Sequence, residues 1–218
     1  MSTEGVIVCG AGRCGTSLVM QMLNAHGRVS VAGEYPAFEC SWVSIEAFDH
    51  LLYNAALDAG QAIKVTNPHL IKGIRIPEKV IYLTRAPMEH AKSQIKLLRA
   101  FGHLDGIKPS KFKHMQRQMR DILHSEAITM PVWFCQQHPS IDLLILKFED
   151  LIRRPNESAG RILELLLPDN FSLNDMRRMA DVVMYRDPHC YDGLLEIDLI
   201  KDIDDGNDQD EGGEAVTV

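Results

Sequence analysis

The chain has 218 residues, 45% hydrophobic and 24% charged, with a formal net charge of −7 and five cysteines. That length suits one domain with a full core, and no apolar run approaches the length a bilayer needs, which excludes a membrane span. Asp202, Asp204, Asp205, Asp208, Asp210, Glu211 and Glu214 carry the whole net charge. The body is therefore neutral, so nucleic-acid binding is disfavoured.

The composition divides the chain into a domain at 1–201 and an acidic tail at 202–218, which is too polar to offset the entropy of ordering. The first strand begins almost at the N-terminus, so no secretory signal is expected. The cysteines are scattered, without C-x-x-C spacing. Both features point to a reducing compartment, the cytoplasm, with no zinc site.

In chain order, β-branched apolar runs place strands near 5–9, 29–32, 61–65, 79–84 and 142–147. Helical spacing places helices near 15–26, 43–57, 88–101, 112–136, 155–167 and 172–184. Strands alternating with helices imply an α/β fold, a three-layer αβα sandwich of the P-loop type around a central parallel β-sheet. The irregular piece at 101–110 holds two glycines and a proline and is either a lid or a plain connection. Cations from Arg85 to Arg120 outnumber their acidic neighbours, Glu89 and Asp105.

The first strand runs into Gly10-Ala11-Gly12-Arg13-Cys14-Gly15-Thr16-Ser17 and then a helix, the layout of a phosphate-binding loop. Its spacing fits G-x-x-x-x-G-K-[ST], except that Thr16 stands where the lysine belongs. A nucleoside triphosphatase needs that ammonium at the β/γ-phosphates. Here the cation lies inside the loop as Arg13. Cys14, at a helix N-terminus beside Arg13, is expected to be acidified and reactive.

Arginine followed by a small residue, glycine and two hydroxyls resembles the 5′-phosphosulfate loop of sulfotransferases, P-[KR]-S-G-T-[ST]. This chain departs from it with Ala11-Gly12 before the arginine and Cys14 in place of serine. The run Lys79–Thr84 ends in Arg85, with Ser93 eight residues on, similar to the family's clamp on the 3′-phosphate. Arginine suits that role because its planar fork donates paired hydrogen bonds. Leu146-Lys147-Phe148-Glu149-Asp150-Leu151 and Pro155 look like the family's late "Y-E-D-L … P" block with Phe148 for tyrosine, and its acids are read as structural.

The resemblance implies a sulfotransferase with 3′-phosphoadenosine 5′-phosphosulfate (PAPS) as co-substrate and no metal. PAPS would be held by Gly12, Arg13, Cys14, Gly15, Thr16, Ser17, Arg85 and Ser93. Arg13, Glu34 and Lys64 would be catalytic. Glu34 follows Arg13 by 21 residues, as the catalytic glutamate does in tyrosylprotein sulfotransferases. Lys64 resembles the family's strand-end lysine, although its spacing to Pro68 is longer than in the family pattern. His69 and His103 are the backup bases, and His26 looks like the family's helix-ending histidine, a structural residue.

The acceptor hydroxyl is left open between a carbohydrate, a small alcohol or phenol, and a peptide tyrosine, and the sequence carries no reading of oligomeric state. The chain is short for this family, so acceptor-covering insertions are expected to be reduced. One alternative is a nucleotide or small-molecule kinase with a degenerate loop, using Asp142 or Glu149 with Mg²⁺. Another is a non-catalytic protein that binds adenosine bisphosphate.

Overall fold

A computed structural model describes residues 5–43, 47–138, 140–168 and 170–184. The expected domain end at 201 and the acidic tail lie outside the described residues. Four parallel strands, β1 (Val6–Gly10), β2 (Ala62–Thr66), β3 (Lys79–Thr84) and β4 (Asp142–Lys147), form one sheet in the order β2-β1-β3-β4. Alternation along β1 assigns the two faces. Val6 and Val8 pack with α1 (Thr16–His26), α6 (Pro155–Leu166) and α7 (Leu173–Met184), whereas Ile7 and Cys9 pack with α2 (His50–Asp58) and α4 (Pro109–Gln137). The sheet is thus covered on both sides, as its β-branched strands require.

Helix ends follow local chemistry. The α1 helix closes on Gly27 at φ 78, whose N–H returns to the Leu23 carbonyl. Asp49 caps α2 by accepting from the N–H groups of Leu51 and Leu52, so this helix begins at residue 50 and not near 43. Pro87 opens α3 (Pro87–Ala100) and Pro109 opens α4, both in the first turn where a missing N–H is harmless. Across the sheet, Phe134 of α4 lies edge-on to Tyr82 of β3 with centroids 5.9 Å apart. His26 is buried at the end of α1, 3.6 Å from Asp175 of α7, and its burial lowers its pKa against the opposing pull of that carboxylate.

One expected strand needs correction. The strand expected at 29–32 is a single bridge, Val31 to Ala62, flanked by hydrogen bonds from Ala32 N–H to Ala62 O and from Ala62 N–H to Ser30 O. Pairing stops because Gly33 turns the chain at φ 86. The late block forms a short helix, α5 (Phe148–Arg153), directly after β4.

Strand order places the site. From β1 the chain adds β2 on one side and then crosses to β3 on the other, so the winding direction reverses between β1 and β3. The crevice at that reversal, beyond the carboxyl ends of the strands, is where open parallel sheets bind ligands. Gly10 ends β1 there, and Arg85 follows β3 directly.

Candidate active site

A cavity of about 430 Å³ opens at this reversal, within the roughly 300–1,000 Å³ range of small-ligand sites. Of the residues named from the sequence, Gly12, Arg13, Gly15, Thr16, Ser17, Lys64 and Arg85 line it. Residues that the sequence did not single out for binding complete the wall, among them Glu39, Thr66, Leu97, Phe101 and Phe148. Phe101 opens the irregular piece expected at 101–110, of which residues 101–108 connect α3 to α4 and the last two already belong to α4.

The loop reaches its shape at some conformational cost. Arg13 sits at φ 71, unusual for a residue with a side chain. Gly15 precedes α1 at φ 103, and a Cβ there would lie 2.6 Å from Phe148 Cδ2. Left-handed strain of about 1–2 kcal/mol and overpacking of about 1–3 kcal/mol apply together at this position. Gly15→Ala is therefore expected to lower unfolding stability by roughly 2–5 kcal/mol in a denaturant titration.

Cys14 corrects an expectation. Its thiol is fully buried beneath the loop, and burial pushes its pKa up to about 12. The N–H groups of Thr16 and Cys14, with the charges of Lys64 and Arg85, oppose that shift without cancelling it. The thiol is protonated and inert, and does not line the cavity.

Arg85 lies over the face of Phe148, 4.6 Å from the ring centroid, and its Nη1 donates to the Arg13 carbonyl at 3.2 Å. Glu149 accepts the N–H of Ala86 at 2.9 Å, fixing the turn that carries Arg85. The late block therefore positions the strand-end arginine. Ser93 is buried and accepts from Arg13 Nε at 3.4 Å, so it meets the loop through Arg13 and does not itself line the cavity.

At the other end, Lys64 projects from β2 on the α1 side and is buried. Its Nζ donates to Ser17 Oγ at 2.8 Å, to the Ala37 carbonyl at 2.9 Å and to Glu39 Oε1. An ammonium has three N–H donors, so all are engaged. Glu39 lines the cavity, and nothing among the described residues hydrogen-bonds its Oε2. Glu34 is exposed and outside the cavity wall. The hairpin between these two acids is tight, with Phe38 N–H bonded to Glu34 O at 2.7 Å. A Cβ on Gly33 would lie 2.7 Å from the backbone of Phe38.

The remaining candidates lie elsewhere. His69 meets the Trp133 ring edge-on and His103 lies beside Phe101, and neither lines the cavity. Asp142 starts β4 and so lies at the end of the sheet away from the loop, which removes it as a Mg²⁺ ligand for a kinase. Glu149 is occupied with the backbone of Ala86. Among the described residues no group of three His, Cys, Asp or Glu forms a metal cluster, and no helix is long and apolar enough to cross a membrane.

Fold and site together define a parallel α/β domain with an anion-binding loop at its winding reversal and a strand-end arginine across the cavity from a lysine–glutamate pair. The sulfotransferase domain model matches residues 3–178, and the chain belongs to the sulfotransferase family. Membership carries the enzyme class, PAPS-dependent sulfotransferase.

Solved structures agree on the fold. Retinol dehydratase in complex with retinol and PAP is similar at TM-score 0.54 and 14% identity, covering 99% of this chain and 84% of that one. A mouse sulfotransferase complexed with PAP is similar at TM-score 0.55 and 13% identity, covering 86% of this chain and 68% of that one. A sulfotransferase from Alicyclobacillus acidocaldarius is similar at TM-score 0.51 and 14% identity, covering 86% and 98%. No curated protein matches the chain by sequence.

Proposed function

We propose that this enzyme moves a sulfuryl group from PAPS to an acceptor hydroxyl by in-line displacement, in the cytoplasm. The observation that carries the reading is one cavity joining the Gly12–Ser17 loop to Arg85 across Phe148. A nucleotide phosphorylated at both ends fits such a pair of cationic poles. The loop and the N-terminus of α1 would hold the 5′-phosphosulfate, and Arg85 the 3′-phosphate, with Ser93 acting behind Arg13. When bound, PAPS supplies the activated sulfuryl group.

The chain's own residues have three tasks. Arg13, Thr16 and Ser17 stabilise negative charge on the sulfonate. Lys64 anchors Glu39 and can give up one of its three partners to a bridging oxygen. Glu39 takes the acceptor proton. Two observations support Glu39 over Glu34 in that role: Glu39 faces the cavity with Oε2 unbonded among the described residues, whereas Glu34 lies off the wall.

Titration calorimetry with adenosine 3′,5′-bisphosphate and with 5′-AMP tests the donor site. Hydrogen bonds to charged groups contribute about 1.5–3 kcal/mol, so the bisphosphate is expected to bind roughly 10–100-fold more tightly. Equal affinities would remove the 3′-phosphate site and with it the PAPS reading.

A further inference from the structure

The Gly12 carbonyl is gripped from α3 by two side chains. His90 Nε2 lies 2.5 Å from it, and Gln94 Nε2 donates to the same oxygen. His90 and Gln94 are one turn apart, on the face of α3 that also carries Ser93, the partner of Arg13 Nε. The next carbonyl, that of Arg13, is held by Arg85. Consecutive loop carbonyls are thus both fixed by side chains from outside the loop.

The consequence follows from the peptide plane. In a trans peptide the C=O and N–H point in opposite directions. A Gly12 carbonyl drawn toward α3 turns the Arg13 N–H away from that helix, into the curl of the loop. Arg13 also occupies a left-handed conformation, which an L-residue keeps only where its surroundings over-determine it. The grip on Gly12 O is such a determinant, applied directly before the strained residue. Glycine at position 12 permits the approach, since a Cβ there would lie 3.2 Å from the Gln94 amide nitrogen.

The chemistry of His90 suits the contact. The ring is buried, and burial lowers its pKa below the ordinary histidine value. Arg85 and Arg13 act in the same direction, while the Gly12 carbonyl and Glu149 oppose. A neutral ring facing a carbonyl must carry its proton on Nε2 to donate.

We propose that His90 and Gln94 are positioning residues of the donor site: acting through the Gly12 carbonyl, they hold the loop in the shape that receives a 5′-phosphate or 5′-phosphosulfate. This rests on the loop being the 5′ end of the PAPS site. Neither residue touches the transferred group, so the effect appears in how much a 5′-phosphate adds to binding.

The experiment compares adenosine 3′,5′-bisphosphate with adenosine 3′-monophosphate by calorimetry, using the wild type, His90→Leu, Gln94→Leu, the double variant and His90→Gln. Gln94 is only half-buried, so Gln94→Leu and the donor-preserving His90→Gln keep the test available if His90→Leu folds poorly. The wild-type affinity ratio between the two ligands is expected to narrow about fivefold in each leucine variant, as loss of one hydrogen bond implies. The 3′-monophosphate affinity should stay within about twofold, and His90→Gln should restore the ratio. A ratio unchanged in the double variant overturns the proposal, as does an equal loss for both ligands, which would make these residues merely structural. If the wild type itself gains nothing from the 5′-phosphate, the donor-site reading fails and the proposal falls with it.

Discussion

Replacing Glu39 with glutamine is expected to lower kcat for sulfuryl transfer by about 10²–10⁴-fold, the usual contribution of a positioned general base. Glutamine keeps the size and the hydrogen-bonding oxygen that Lys64 meets, so the cavity wall persists while the proton acceptor is lost. Affinity for adenosine 3′,5′-bisphosphate should therefore stay within about twofold of the wild type, because no phosphate contact is removed. Glu34→Gln should leave kcat within about threefold, as expected of an exposed side chain away from the wall. Steady-state kinetics on the two variants separates these outcomes. A large loss in Glu34→Gln with none in Glu39→Gln would return the base to the residue that family spacing indicated.

Arg85→Ala has the second large expected effect, and its readout is binding. The substitution removes a guanidinium from the cavity wall, its stack on Phe148 and its hold on the Arg13 carbonyl. A bidentate arginine–phosphate pair makes two charge-assisted hydrogen bonds of about 1.5–3 kcal/mol each, so bisphosphate affinity should fall at least about 100-fold. The loss for 5′-AMP should be nearer fivefold, arising only from the loosened loop, whose tie to Arg85 is a single bond of about 1 kcal/mol. Arg85→Lys should fall between, since an ammonium keeps the charge and loses the planar fork. Equal losses for both nucleotides would mean that Arg85 supports the fold and does not select the 3′-phosphate.

What the sequence disclosed, and what it withheld, follows the range of the forces involved. Strands β1, β3 and β4, the loop and Arg85 were legible because apolar alternation, glycine spacing and a strand-end cation are local patterns. The expected strand at 29–32 had the composition of a strand, but pairing is set by register, and Gly33 ended it after one bridge. Cys14 sat in the sequence context of a reactive thiol, and only the fold showed that β1, β3 and α1 close over it. Glu34 and Glu39 lie in one short segment, and spacing alone favours the first. The tight turn at Gly33 and the reach of Lys64 from another strand place the second at the cavity. His90 and Gln94 carried no readable signal, because their partner is a backbone carbonyl about 80 residues away, which every sequence possesses.

The most direct test of the central claim is transfer of radiolabelled sulfuryl from PAPS to a panel of acceptors, comprising simple phenols and alcohols, a carbohydrate and a tyrosine peptide. The expected result is a labelled sulfate ester on at least one hydroxyl acceptor, formed by the wild type and reduced about 100-fold or more in Glu39→Gln. Tight bisphosphate binding without transfer to any acceptor would contradict the catalytic assignment and leave a protein that only holds the nucleotide.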